Sequence, residues 1–430
     1  MRRLFDLAPH HHDPARRRLL DVAEAALRAV LPDAAVAATL KQRPLEGPVV
    51  VLGLGKAAVP MGRAARAAVE VRRGVIVTPA PAPIDGLEVC AGAHPVPDAS
   101  SERGGRRLLE VARGVGPDET ALVLISGGGS ACAVVPAEGL ELADLSATQE
   151  VLLRSGATID EVNAVRKHLS LLKGGRLAEA LAGAAGVRTL VLSDVIGAPL
   201  DVIASGPTVP DPTTYTDALQ VLERYALIDR VPEPVRARLR AGARGEVAET
   251  PEDGPVFRRQ TVEIVGSAKT ATAAAERAAL GGGPARIVDT ELQGEAREVA
   301  TNLIERAADL QPGETWIFAG ETTVTVTGDG RGGRNQELAL AASIALEGCS
   351  DLVLSSLGTD GIDGMSPAAG AFADGEVVAR GRARGRDARD HLRRNDAHPF
   401  MVAAGAAIDS GPTGTNVGDL ILLHRRARRG

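Results

Sequence analysis

The run Val49–Ala58, VVVLGLGKAA, constrains the fold more than any other stretch of the chain. It is continuously apolar, ends in a glycine turn and leads straight into a helix-forming segment. A strand with one face in water alternates apolar and polar residues. A strand covered on both faces, as in a parallel sheet, does not. Comparable runs recur at Gly74–Thr78, Ala121–Ile125 and Thr189–Ser193, with helical segments between them. Alternating strands and helices of this kind predict a doubly wound α/β sheet with helices on both faces.

An amphipathic helix precedes these runs, around Asp13–Ala29. The segment Val231–Pro255, rich in Pro, Gly, Arg and Glu, interrupts the rhythm; it reads as a helix plus an exposed connection. The strand pattern restarts at Thr261–Val265, Ala285–Val288, Thr315–Phe318, Val324–Thr327, Asp351–Ser356 and Asp419–Leu422. Helices are expected at Ala271–Leu280, Glu295–Leu310 and Asn335–Leu346. The chain of 430 residues is therefore expected to form two Rossmann-like, doubly wound α/β domains, residues 1–250 and 251–430. The second sheet should be mixed, because Glu321–Thr327 could fold back as a hairpin.

Charge and composition narrow the function. The net charge is −6 with basic residues dispersed, and aromatic residues make up only 2%. Nucleic-acid binding needs a basic stripe or stacking platforms, so it is not expected. No run approaches the roughly 18 apolar residues of a membrane span. The N-terminus lacks the apolar core of a secretory signal. Cys90, Cys132 and Cys349 lie far apart and read as reduced residues of a cytoplasmic protein. His10–His12 and the basic end HRRARRG read as solvated or frayed termini.

In open parallel sheets, ligands bind at the carboxyl ends of the strands, so the loops there carry the chemistry. Gly53-Leu-Gly55-Lys56-Ala-Ala58 fits the G-x-G-x-x-A dinucleotide fingerprint. The acid that should end the second strand and hold a ribose is missing, since the strand ends in TPAPAP, beginning at Thr78, and the next acid is Asp85. What remains is Lys56 on a glycine turn before a helix, where it can meet an anion. Ser126-Gly127-Gly128-Gly129-Ser130 can converge backbone N–H groups on phosphate oxygens, with the serines as added donors. Asp194, after the strand ending at Ser193, can hold Mg²⁺, accept a proton from an attacking hydroxyl, or cap a turn. Asn163, Arg166 and Lys167 share one helix face, able to clamp a carboxylate or phosphate unless it is merely a solvated basic face, and Lys173 follows them. Ile203–Thr208 adds another small-residue loop, and His94 sits in a proline-rich one. In the second half, Arg334 opens a helix after a glycine turn, where it can neutralise a transferring phosphoryl group. Asp360 and Asp363 lie in a glycine-rich loop suited to a metal that carries phosphates.

Taken in order, GLGKAA, GAHPVPDASS, LISGGGSA, TIDEVNAVRKHLSLLKGG, LSDVIG, ASGPTVPDPTT, GGRNQELAL, GTDGIDG and GPTGTNVGDLIL resemble the glycerate 2-kinases that carry a C-terminal MOFRL domain. The resemblance covers nearly the whole chain. It implies phosphorylation of D-glycerate at the 2-hydroxyl by ATP with Mg²⁺, in a cleft between the domains. It implies Lys56, Arg334 and Asp194 as catalytic residues, with Lys56 and Arg334 facing one another. Ser126, Gly127, Gly128, Gly129, Ser130 and Lys173 would bind the nucleotide, and Asp194 and Asp360 the metal. The partners expected are small molecules, acting on a monomer or homodimer. The alternative is an NAD(P)H-dependent hydroxypyruvate reductase, a name some family members have carried; the missing ribose acid weighs against it.

Overall fold

A computed structural model of the chain describes residues 3–5, 12–197 and 199–427. His10 and His11 lie outside the described residues. The structure divides into two compact units, one of residues 32–265, the other of 1–31 with 266–430.

The unit of residues 32–265 contains β1 (Val49–Leu54), β2 (Val71–Thr78), β3 (Glu88–Ala91), β4 (Thr120–Ser126), β5 (Gly186–Leu192) and β6 (Gln260–Gly266). They form one sheet in the order β3-β2-β1-β4-β5-β6. The pairs β1–β2, β2–β3, β1–β4 and β4–β5 are parallel. The runs without alternation are indeed buried on both faces. Val50, Leu52 and Leu54 of β1 join one core cluster, Val49 and Val51 another. Such a strand order reverses direction between β1 and β4, and the crevice at that switch point is where this architecture places ligands. β1 and β4 are the two strands followed by GK and SGGGS.

A third core, built from helices, completes this unit. Val162 and Val165 pack with Tyr215, Leu222, Val235 and Leu239. The helix Glu233–Ala243 supplies the last two, and Thr250 is buried. Val231–Pro255 is therefore tied to its own unit rather than acting as a connection, which is why the division falls at 265 instead of 250.

The other unit contains β7 (Ala285–Glu295), β8 (Thr315–Thr323), β9 (Leu352–Gly358), β10 (Gly370–Asp374), β11 (Ala407–Ile408) and β12 (Asp419–Arg425), ordered β11-β10-β9-β12-β8-β7. The sheet is mixed, but not through a hairpin. Residues 324–327 form no strand; instead β12 inserts antiparallel between β8 and β9. β7–β8 pairs parallel, whereas β9–β10 and β10–β11 are antiparallel. The helix Pro14–Ala29, capped by Asp13, belongs here. Its apolar stripe of Leu19, Leu20, Ala23 and Leu27 packs with Ala275, Phe372, Leu420 and Leu422. Burial of such a stripe outweighs proximity in sequence, so the N-terminal helix joins the C-terminal sheet. The basic end is ordered where it is described. His424 and Arg425 lie in β12, and Arg426 makes a two-point pair with Asp13. No helix among the described residues is long and apolar enough to cross a membrane.

Candidate active site

The turn after β1 is fastened to the loop after β4. Lys56 N–H donates to the Gly127 carbonyl at 2.9 Å, and Ala57 N–H donates to Ser126 Oγ at 3.0 Å. The Ser126 side chain is thus buried, its oxygen accepting from the turn after β1. The Lys56 side chain is exposed. Gly127 has no room for a side chain, because a methyl group there would collide with the Asp194 carboxylate. Gly128 has φ +81°, and a Cβ there would lie 2.8 Å from His94 Cδ2 and 3.3 Å from Lys56 Cε. The fold therefore gathers Lys56, His94, Asp194 and the glycine loop at the switch point.

Their electrostatics are coupled. Burial pushes the Asp194 carboxyl above its usual range, against the pull of its backbone hydrogen bond, Lys56 and His94. Burial and Lys56 push His94 down, opposed by Asp194. Among the described residues, no side-chain hydrogen bond satisfies the Asp194 carboxylate, and the N–H groups of Gly128 and Gly129 have no acceptor. Unsatisfied donors facing a lysine make an anion-binding concavity. A carboxylate raised toward neutrality is suited to taking a proton.

Behind the loop stands a second group. Lys173 is 4% exposed and its Nζ donates to the Ser130 carbonyl at 2.6 Å. Arg166 Nη2 reaches the same oxygen at 3.4 Å. Burial lowers Lys173 well below ordinary lysine values, with Arg166 adding repulsion, and brings Arg166 down to about 10. Lys167 differs: it is buried against Asp211 at 3.2 Å and Asp201 at 3.5 Å. The shared basic face is therefore largely interior rather than solvated. Asn163 Oδ1 accepts from Ser205 Oγ at 2.8 Å, and Ser205 Oγ lies 3.0 Å from Ser130 Oγ. Ala204 and Ser205 hold φ values of +52° and +60°, a conformation costly for residues with a Cβ.

In the other unit, Arg334 opens the helix Arg334–Ala345. Its Nε and Nη2 donate to the two oxygens of Asp419 at 2.7 and 3.0 Å, and Nη1 meets Glu321 at 3.0 Å. Asp363 is spent on the same helix: it accepts from the N–H groups of Asn335 at 3.0 Å and Gln336 at 2.8 Å. Asp360 Oδ1 accepts from Ile362 N–H at 3.1 Å within its own turn. Among the described residues, no three His, Cys, Asp or Glu side chains cluster as a metal site.

Two family models match the chain: DUF4147, a domain of unknown function, over residues 18–240, and the MOFRL family over 314–419. A Thermotoga maritima protein named D-glycerate 2-kinase is 41% identical over 95% of this chain and 97% of its own length. The chain belongs to the glycerate kinase family. The crystal structure of the Thermotoga maritima glycerate kinase superposes with a TM-score of 0.88 at 40% identity, covering 96% of this chain and all of that one. A relative from Agrobacterium vitis, 38% identical over 94% of this chain and 93% of its own length, carries the provisional name of a hydroxypyruvate reductase.

Within this glycerate kinase family fold, His94, Ser205 and Asp419 are the neighbours that sequence reasoning did not single out as site residues. His94 and Ser205 stood in noted loops, HPVPDASS and ASGPT, each at the end of a strand region. Asp419 opens a strand 85 residues from Arg334, and no local signal pairs them.

Proposed function

We propose that this chain transfers the γ-phosphoryl group of ATP to the 2-hydroxyl of D-glycerate, giving 2-phosphoglycerate and ADP. The observation that carries the reading is the meeting of Lys56, Asp194 and unsatisfied glycine N–H groups at the switch point of a parallel sheet. Phosphoryl transfer asks a protein mainly for positioning and for neutralisation of charge on the transferred group. The N–H groups of Gly128 and Gly129 hold phosphate oxygens, and Lys56 neutralises the group in transit. The glycerate oxygen forms its bond to phosphorus as the bond to the ADP oxygen breaks. The hydroxyl proton passes to Asp194, whose raised affinity for a proton fits the role. Arg334 is proposed as the catalytic cation of its own unit, through the guanidinium edge it shares with the half-exposed Glu321.

As the alternative to taking the proton, Asp194 fits a magnesium ion: it is a carboxylate without a side-chain partner beside a phosphate-binding loop, and Mg²⁺ commonly takes one or two carboxylates plus phosphate oxygens. When bound, the ion supplies further neutralisation of the phosphates. Asp360 keeps one carboxylate oxygen free of its turn and is the acid proposed to hold a magnesium ion in its own unit.

The experiment is a reaction of D-glycerate, ATP and Mg²⁺ followed by phosphorus NMR. Formation of 2-phosphoglycerate is expected. The 3-phospho isomer would refute the regiochemistry while keeping a kinase. NADH oxidation on hydroxypyruvate, without any phosphorylated product, would replace the reading with a reductase.

A further inference from the structure

Lys173 and Arg166 present an unusual situation. One is buried and the other partly so, yet neither has a carboxylate within ion-pair distance among the described residues, and both point at the single carbonyl of Ser130. A buried cation without an anion is costly, and proteins ordinarily pair it, as Lys167 is paired with Asp211. An ammonium offers three donors and a guanidinium five, so one shared carbonyl leaves most of them unused. An anion from outside is the missing partner.

The neighbouring hydroxyls specify which anion. A serine hydroxyl has one proton to give. Ser205 gives its proton to Asn163 Oδ1, so in the 3.0 Å contact between Ser130 Oγ and Ser205 Oγ the donor is Ser130. Ser130 Oγ is then left with lone pairs only, an acceptor beside two cations. An ionised phosphate carries acceptors alone and would be repelled by that oxygen. A hydroxy acid carries a carboxylate for the cations and a hydroxyl proton for the acceptor, a short carbon chain apart.

We propose that Lys173, Arg166 and Ser130 form the pocket for the hydroxy acid: the two cations hold its carboxylate, and Ser130 Oγ accepts a hydrogen bond from the hydroxyl that is not phosphorylated. The inference rests on the kinase reading above and deepens it. Lys173 moves from the nucleotide, where the family resemblance placed it, to the acid. Asn163 and Ser205 become positioning residues that set the direction of the Ser130 hydrogen bond.

The test is steady-state kinetics with D-glycerate and with D-lactate, which has a hydrogen in place of the 3-hydroxyl, on the wild type and on Lys173→Met, Arg166→Gln and Ser130→Ala. Loss of a hydrogen bond to a charged group corresponds to roughly tenfold to hundredfold in affinity. KM for D-glycerate should rise by that factor in Lys173→Met and Arg166→Gln, with KM for ATP unchanged. Ser130→Ala should lose the preference for D-glycerate over D-lactate. A rise in KM for ATP instead, or a preference intact in Ser130→Ala, overturns the proposal. Lys173→Met also loses the hydrogen bond to the Ser130 carbonyl, so if it fails to fold, Arg166→Gln and Ser130→Ala, which keep that bond, decide the proposal. If the wild type phosphorylates neither acid, the kinase reading has failed. Calorimetric titration of D-glycerate without nucleotide then still decides the pocket, by whether wild type binds and Lys173→Met does not.

Discussion

The glycine-rich loop after β4 and the one before the helix Arg334–Ala345 handle positive charge in opposite ways. At the first, Lys56 is exposed beside unsatisfied N–H groups, and Lys173 and Arg166 share one neutral carbonyl. At the second, Arg334 is gripped at two points by Asp419, which is 1% exposed, and Asn335 and Gln336 are fixed by Asp363. The first loop is prepared to receive charge; the second has most of its charge already met, with only the Nη1 edge of Arg334 resting on the half-exposed Glu321. Lys167, six residues before Lys173 and fully paired, shows that the contrast is one of partners rather than of residue type.

The largest effect should come from breaking a pair. Asp419→Ala leaves the Arg334 guanidinium without its two-point partner and should cost about 3–5 kcal/mol of stability in urea unfolding. A similar loss is expected for Lys167→Met, which strands the buried Asp211. If either variant unfolds at the wild-type midpoint, the paired half of the comparison is wrong. Lys56→Ala should do the reverse. Its turnover should fall by about 10²–10³, equivalent to about 2.7–4 kcal/mol, while stability stays within about 0.5 kcal/mol. Wild-type turnover in that variant would remove Lys56 from the mechanism.

A pH series sharpens the contrast further. Burial, with repulsion from Arg18 and Arg426, lowers His424 from 6.5 to about 4. The unfolded chain therefore binds this proton more readily than the folded one. The contribution is complete above about pH 6.5 and is lost as pH falls toward 4, amounting to about 2–3 kcal/mol by pH 4.5. Urea titrations at pH 7.5 and 4.5 should show that loss in the wild type and not in His424→Asn. The smallest effect is expected at Asp13. It caps the helix Pro14–Ala29 and pairs with the partly exposed Arg426, so Asp13→Ala should lower stability by about 1 kcal/mol in the same assay.

Much of this was legible along the chain. The apolar runs located β1, β4 and β5 to within a few residues, because burial on both faces suppresses alternation over a single strand. The helical spacing of apolar residues announced the first helix around Asp13–Ala29, since a 3.6-residue period is visible locally. Lys56, the glycine loop and Asp194 could be proposed as site residues because strand ends are marked by the strands before them. Other features had no local mark. Val324–Thr327 has the composition of a strand but forms none, and β10 and β11 are short pieces whose strand character depends on a neighbour, β9 for β10 and β10 for β11.

By itself the sequence determined where strands and turns begin, that the first sheet would be parallel and buried, and which loops carry lysine, serine and aspartate to its edge. These properties follow from residues within a few positions of one another. Only the tertiary structure decided that the N-terminal helix joins the last sheet, that Ser126 faces inward, and that Arg334 is paired while Lys173 is not. Coulomb energy and desolvation depend on which groups lie within a few ångströms, and Asp419 reaches Arg334 across 85 residues of chain.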